Sequence, residues 1–481
     1  MALRDTPANR DELLQQLESA RSHDVPWKSG RAFGYVFETG DDAQALGKTA
    51  YASFLTENGL DPTAFPSYPR LENDVIGWVL DQTRCPAEGV GIFTSGGTES
   101  ILLAVKAARE AARAARPDLA RFELVLPITA HAAFFKAAHY FDLDVVTTAV
   151  DPESFRADPG AIEAAITERT AMVVVSAPSF AHGVVDPVAE VAAVCRARGV
   201  WLHTDGCVGG WLLPYFRALG AKVPDYDFSV EGVQSMSVDL HKFAFCAKGA
   251  SVVLFRTPAL RRHAAFACGS WTGYSLVNFG VQSSKSEGPV ASAWATLQAF
   301  GHQGYRAQVE GMHRAAERVR AAVRAHPDLR ILGEPCMSLF AIASDTVNVF
   351  HLQDELRLRG WHTRSQLRRG PSPENVHVLL TPVNDRWVDA FINDLGEAVE
   401  AARALPPSEL AAQLREMFAN LDPANVSDDV IAGMMSSAGV SQGALPGRTA
   451  EVNQMMNALP TAIIERALVH YVDGTFRPAR G

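Results

Sequence analysis

Between about residues 70 and 300 the chain repeats one pattern: a short, nearly unbroken apolar run, then a longer stretch with helical spacing. Runs at 123–126, 172–175, 200–203 and 251–255 are rich in Val and Leu and too short for helices. The stretches between them, such as 99–115 and 187–198, are rich in Ala. Strands that are apolar throughout are buried on both faces. The rhythm therefore predicts an α/β fold, a mostly parallel sheet with helices on both faces. In such sheets ligands lie outside the carboxyl ends of the strands.

The flanks follow other patterns. A long helix is predicted over about 305–325, leading into a smaller α+β domain with strands at 338–342, 346–350 and 376–380. Near the N-terminus, Leu13, Leu14 and Leu17 share one face of a helix over about 10–22. Such an arm packs on a partner subunit or remains a local amphipathic helix. After Pro406-Pro407 a polar, helical tail begins, in which Met434, Met435, Met455 and Met456 read as gap-filling core or interface residues. The expected division is an N-terminal arm over 1–65, a large domain over 66–305, a small domain over 306–405 and a helical extension over 406–481.

Composition narrows the classes. A chain of 481 residues is long enough for two or more domains and a large core. Its formal net charge of -10, with no compensating basic block, argues against a nucleic-acid binder. Six scattered cysteines without a C-x-x-C pair suggest neither a zinc cage nor a disulfide framework, and no metal is expected. They fit a reducing cytoplasm. Residues 1–18 are charged and lack the apolar centre of a signal peptide, and no apolar stretch is long enough to span a membrane.

Candidate chemistry sits at predicted strand ends. The run 233–238 leads into Asp239-Leu240-His241-Lys242. A lysine amine beside another cation can be deprotonated and made nucleophilic, as a Schiff base with an aldehyde cofactor such as pyridoxal 5'-phosphate requires. Taken alone, a His-Lys pair is more often a solvated strand end. Thr94-Ser95-Gly96-Gly97-Thr98-Glu99-Ser100 precedes a helical run. Small residues there let the backbone approach a phosphate, and the free N–H groups of the helix start would bind it; a plain helix cap reads equally well. Asp205, after the strand at 200–203, could hold the proton of a pyridinium nitrogen or merely cap a turn. His131 could stack on a cofactor ring, and Ser179 could reach a ring hydroxyl or aldehyde. The step Asp186-Pro187 reads as a structural helix start.

Taken in order, these segments resemble pyridoxal-phosphate enzymes of fold type I, the aspartate-aminotransferase fold. More closely, they are similar to the sphingosine-1-phosphate lyases of the group II decarboxylase-like superfamily. The motifs that carry the resemblance are residues 94–101, 130–134, 176–187, 205–210 and 239–242, within a similarity running from about 27 to 380. It implies a seven-stranded sheet, with Lys242 as the Schiff-base lysine, Asp205 on the pyridine nitrogen and His131 on the ring. Gly97, Thr98, Ser237 and His241 would hold the cofactor phosphate. Lys248 would be a second lysine near the substrate, and Tyr35 would reach an active site across a dimer. Asn58, Asp61 and Lys285 match the substrate side, although family members commonly carry His where Asp61 stands and Arg where Lys285 stands.

The implied activity is cleavage of the Cα–Cβ bond of a phosphorylated sphingoid base, such as sphingosine 1-phosphate, by a retro-aldol step. The products would be a long-chain aldehyde and phosphoethanolamine. A decarboxylase acting on a small polar or acidic amino acid is the alternative, because amino-acid decarboxylases share most of these motifs. A protein that binds the cofactor without turnover is a third reading, disfavoured by the intact Lys242, Asp205 and His131 set. The resemblance further implies a homodimer with shared active sites, in the cytoplasm.

Overall fold

The computed structural model describes residues 3–418, 422–440 and 445–478. Seven strands form the central sheet: β1 (Val90–Thr94), β2 (Glu123–Pro127), β3 (Asp144–Thr148), β4 (Thr170–Ser176), β5 (Trp201–Asp205), β6 (Val233–Val238) and β7 (Ser251–Phe255), in the order β1-β7-β6-β5-β4-β2-β3. Only β7 runs antiparallel to its neighbours. Strands β2, β4, β5 and β7 are buried along their whole length, as apolar strands covered on both faces must be. On one face the helix Gly97–Ala115 packs Ile101, Leu103, Ala104 and Val105 against the sheet. Val191 and Cys195 of the helix Val188–Arg198 belong to the core on the other face.

A single helix, Gly288–Ala325, joins this sheet to the next unit; it is kinked at Gly301, where φ is 53°. Sequence spacing located only its second half, because Pro289, Gly301 and Gly304 punctuate the first. The second sheet has four antiparallel strands, in the order Arg330–Ile331, Leu339–Ala343, Asn375–Leu379 and Arg364–Gln366. Residues 346–350 do not form the expected strand. Asn348 caps the helix Val349–Leu358 by accepting from the Phe350 N–H, and Val349, Leu352 and Leu356 turn to the core with helical spacing.

Four further helices, Glu409–Phe418, Asp428–Ser437, Ala450–Ala458 and Thr461–Thr475, surround a small core that includes Leu414, Ile431, Met434, Met435, Met455 and Ile463. Met456 packs at its edge. The buried Asp354 accepts from the backbone N–H groups of Thr449 and Ala450 at 2.9 and 2.8 Å, pinning this bundle to the second sheet's unit. At the other end the helix Arg10–Ser19 buries no residue, and Leu13, Leu14 and Leu17 face solvent. No helix among the described residues is long and apolar enough to cross a membrane.

Candidate active site

A crevice of about 400 Å³ opens where β4, β5 and β6 end and the helix Gly97–Ala115 begins. Gly97, Thr98, His131, Asp205, His241 and Lys242 line it together. Six positions that the sequence pattern singled out thus meet at the carboxyl ends of the strands.

Lys242 is held by Asp239, whose Oδ2 lies 3.0 Å from Nζ. Burial works to lower the Lys242 pKa, but the charge of Asp239, with that of Asp205, outweighs it and raises the pKa above the usual lysine range. Burial likewise opposes ionisation of Asp239, yet Lys242 and His241 together draw it below the usual carboxylate range. The cation that the sequence offered as an activator is absent in effect: burial depresses His241 to about 4, so it is neutral at pH 7. A carboxylate, not a neighbouring cation, sets the state of the lysine.

Asp239 is itself anchored. Its Oδ1 accepts from Ser251 Oγ at 2.6 Å, Ser251 lies 2.8 Å from Ser100 Oγ, and Ser100 lies 2.6 Å from Thr94 Oγ1. This buried hydroxyl chain ties the lysine loop to the start of the Gly97 helix. A Cβ on Gly97 would sit 2.6 Å from Asp239 Oδ2, so glycine is needed for the close approach. Glu99 fixes the preceding turn by accepting from the Ser95 N–H and hydroxyl, at 2.7 and 2.6 Å.

Asp205 sits at the end of β5, 7% exposed, and its Oδ1 accepts from the Cys207 N–H at 3.0 Å and from Ser237 Oγ at 3.2 Å. Its Oδ2 has no protein partner among the described residues and is free for a proton in the crevice. Ser237 lies behind Asp205, within 3.2 Å of both His203 Nε2 and Cys207 Sγ, and is not on the crevice wall. Ser235 and Ser237 share one face of β6 because strand side chains alternate. Burial keeps His203 neutral, with a pKa lowered to about 4. The serine, histidine and cysteine thus orient the carboxylate from beneath.

His131 caps the helix Ala132–Phe141 by accepting from the Ala133 N–H at 3.1 Å, while its exposed ring lines the crevice. Ser179 is fully buried, its hydroxyl unpartnered, and only its neighbours Pro178 and Phe180 reach the wall. Asp186 is structural: it accepts from the Ala157 and Ser176 N–H groups, at 2.8 and 2.7 Å.

The remaining candidates lie apart. Lys248 lines an adjoining cavity of about 230 Å³ with its Nζ 5.3 Å over the Phe37 ring. Lys285 lines another, of about 330 Å³, with Nζ 4.8 Å over the Tyr68 ring; Ser95 and Glu99 line this cavity and the crevice alike. Asn58 braces that rim by accepting from the Lys285 N–H at 3.3 Å. Asp61 is exposed and folds onto its own turn, accepting from the N–H and hydroxyl of Thr63. Tyr35 is remote from the Lys242 crevice, with its hydroxyl donating to the Thr363 carbonyl at 3.4 Å.

The donor set fits pyridoxal 5'-phosphate. Gly96 ends the turn with no side-chain cap, leaving the first N–H groups of the Gly97 helix open to a phosphate. An amine, a half-free carboxylate and a flat imidazole face the same space. These features define a pyridoxal-dependent enzyme, and residues 2–343 match the model of the pyridoxal-dependent decarboxylase conserved domain. Residues 412–474 match a C-terminal "HTH" domain model of pyridoxal-dependent enzymes.

Within that class the similarity is specific. The chain is 34% identical over 403 residues to the sphingosine-1-phosphate lyase of Arabidopsis thaliana, covering 82% of this chain and 73% of that one. Against the Saccharomyces cerevisiae sphingosine-1-phosphate lyase the identity is 31%, over 89% and 72% of the two chains. The structure of the Burkholderia pseudomallei sphingosine-1-phosphate lyase superposes with a TM-score of 0.80 at 35% identity, covering 87% of this chain and 95% of that one. The glutamate decarboxylase of Lactobacillus brevis shares the fold, with a TM-score of 0.75 at 17% identity. The chain belongs to the sphingosine-1-phosphate lyase family.

Proposed function

We propose that this protein is a pyridoxal-phosphate-dependent carbon–carbon lyase that cleaves the Cα–Cβ bond of a phosphorylated sphingoid base. The products are a long-chain aldehyde and phosphoethanolamine. The observation that carries the reading is the 34% identity across 82% of the chain to a sphingosine-1-phosphate lyase, in a chain that brings Lys242, Asp205 and His131 to one crevice.

When bound, the cofactor supplies an aldehyde for an amine and a protonated ring that takes up the electron pair of the broken bond. The open N–H groups at Gly97 and Thr98 bind its phosphate, with His241 beside them. His131 flanks the ring and excludes water from that side. Asp205, oriented by Ser237 and Cys207, holds a proton at the ring nitrogen through its free Oδ2. Asp239 holds Lys242 in position, and Lys242 returns a proton to Cα after cleavage. Lys248, its pKa lowered by burial and by the charge of Lys242, is a second proton carrier nearby. Lys285, braced by Asn58, faces the substrate end as its cation, and Asp61 stands beyond them, turned onto Thr63.

We further read the enzyme as a cytoplasmic homodimer with shared sites. The exposed Leu13, Leu14 and Leu17 and the remote Tyr35 support pairing, and the six free cysteines fit a reducing compartment. The test is a product assay. Protein loaded with pyridoxal phosphate is given sphingosine 1-phosphate in one reaction and a panel of amino acids in others. Fatty aldehyde and phosphoethanolamine are expected from the first. Carbon dioxide and an amine from one amino acid, with no aldehyde, would replace the lyase reading with a decarboxylase.

A further inference from the structure

A second cavity, of about 470 Å³, shares no lining residue with the Lys242 crevice. Three stretches distant in sequence wall it: the arm near Val25 and Tyr35, residues 353–365, and the C-terminal bundle at Leu445 and Asn453. Two of these walls lie beyond residue 343, where the match to the decarboxylase domain ends.

Its lining is basic in a chain of net charge -10. Arg357 and Arg364 both face it, and neither has a carboxylate partner among the described residues. Nearby arginines are paired: Arg359 and Arg448 with Glu355, and Arg368 with Glu374. The Arg364 guanidinium stacks over the Tyr35 ring at 4.3 Å, a contact that leaves its N–H edge available. Burial, and then the charge of Arg357, lower the pKa of His362 on the same wall. Independently, Thr363 is only 3% exposed and its hydroxyl has no partner among the described residues. One carboxylate, the exposed Asp24, lines the cavity, and it pairs with neither arginine. Buried hydroxyls are rarely left unpaired, and two free guanidiniums around one space are the complement of a phosphate. Val25 and Leu445 add an apolar side that inorganic phosphate alone would not need.

We propose that this cavity is a binding site for a small organic phosphate, its anionic group between Arg357 and Arg364 and its carbon body against Val25 and Leu445. Occupancy would tie the arm and the C-terminal bundle to the second sheet's unit, apart from this chain's own Lys242 crevice.

The test is calorimetry on the cofactor-loaded enzyme, whose own phosphate seat is then filled, with inorganic phosphate and phenyl phosphate as probes. Saturable binding is expected, tighter for phenyl phosphate. Arg357→Gln and Arg364→Gln should each weaken it by about tenfold or more, and it should persist in Lys285→Gln, which removes only phosphate held at the substrate end. Because Arg364 also packs on Tyr35, Thr363→Val is the milder variant; it should weaken binding about threefold while the cofactor absorbance stays normal. Absence of saturable binding, insensitivity to the double arginine variant, or loss in Lys285→Gln would overturn the site.

Discussion

The floor of the crevice and its substrate rim are built differently. At the floor, each functional group is fixed by buried contacts from elsewhere in the chain: Asp239 by Ser251, Asp205 by Ser237, and the Gly97 helix start by a backbone approach that tolerates no Cβ. At the rim, Asp61 is exposed and satisfied by its own turn, and Lys285 rests on a tyrosine ring without a carboxylate partner among the described residues. Groups held from several sides have one geometry, which a cofactor requires. Groups held locally can change without disturbing the floor, which suits the part of a site that selects substrates.

Substitutions at the two regions should therefore differ in size. Lys242→Ala should cost at least about 10³-fold in turnover and abolish the visible imine absorbance of the bound cofactor. A variant that kept that absorbance would separate the lysine from the cofactor and break the account of the floor. Asp205→Asn keeps the shape but not the charge, and should lower kcat by about 10²-fold with little change in KM. Gly97→Ala drives a methyl onto Asp239 and should weaken cofactor binding about tenfold or more, read by titration of the apoenzyme.

Stability against pH offers an intermediate effect. Burial raises Asp186 from its ordinary 3.8 to about 6. Its contribution to stability is fully present below the unfolded value and is lost as pH rises through the folded one. Between pH 4 and 6 the wild type should lose about 2 kcal/mol relative to the slope of Asp186→Asn, measured by denaturant unfolding. The smallest change belongs to the rim: Asp61→Asn should alter kcat/KM by less than about threefold. A larger loss would place Asp61 in the substrate contact and erase the contrast.

Much of the floor was legible because its residues fall where apolar runs stop. Lys242, Asp205 and His131 each follow a strand that the spacing located. The role of Asp239 was not legible: it stands three residues before the lysine and His241 only one, and only the turn decides which reaches Nζ. The family resemblance offers Ser237 as a phosphate ligand, whereas strand alternation turns it under Asp205. Residues 346–350 mimic a strand by composition, but the Asn348 cap starts a helix there. The cavity around Arg357 and Arg364 had no local signal at all, since three distant stretches build it.

The central claim is that this crevice breaks a Cα–Cβ bond and returns a proton from Lys242. Its most direct test is product analysis in heavy water with sphingosine 1-phosphate as substrate. The account predicts equal amounts of fatty aldehyde and phosphoethanolamine, the latter carrying a solvent deuterium on the carbon that bears the amine. Release of carbon dioxide from an amino acid without any aldehyde, or phosphoethanolamine without solvent deuterium, would contradict it.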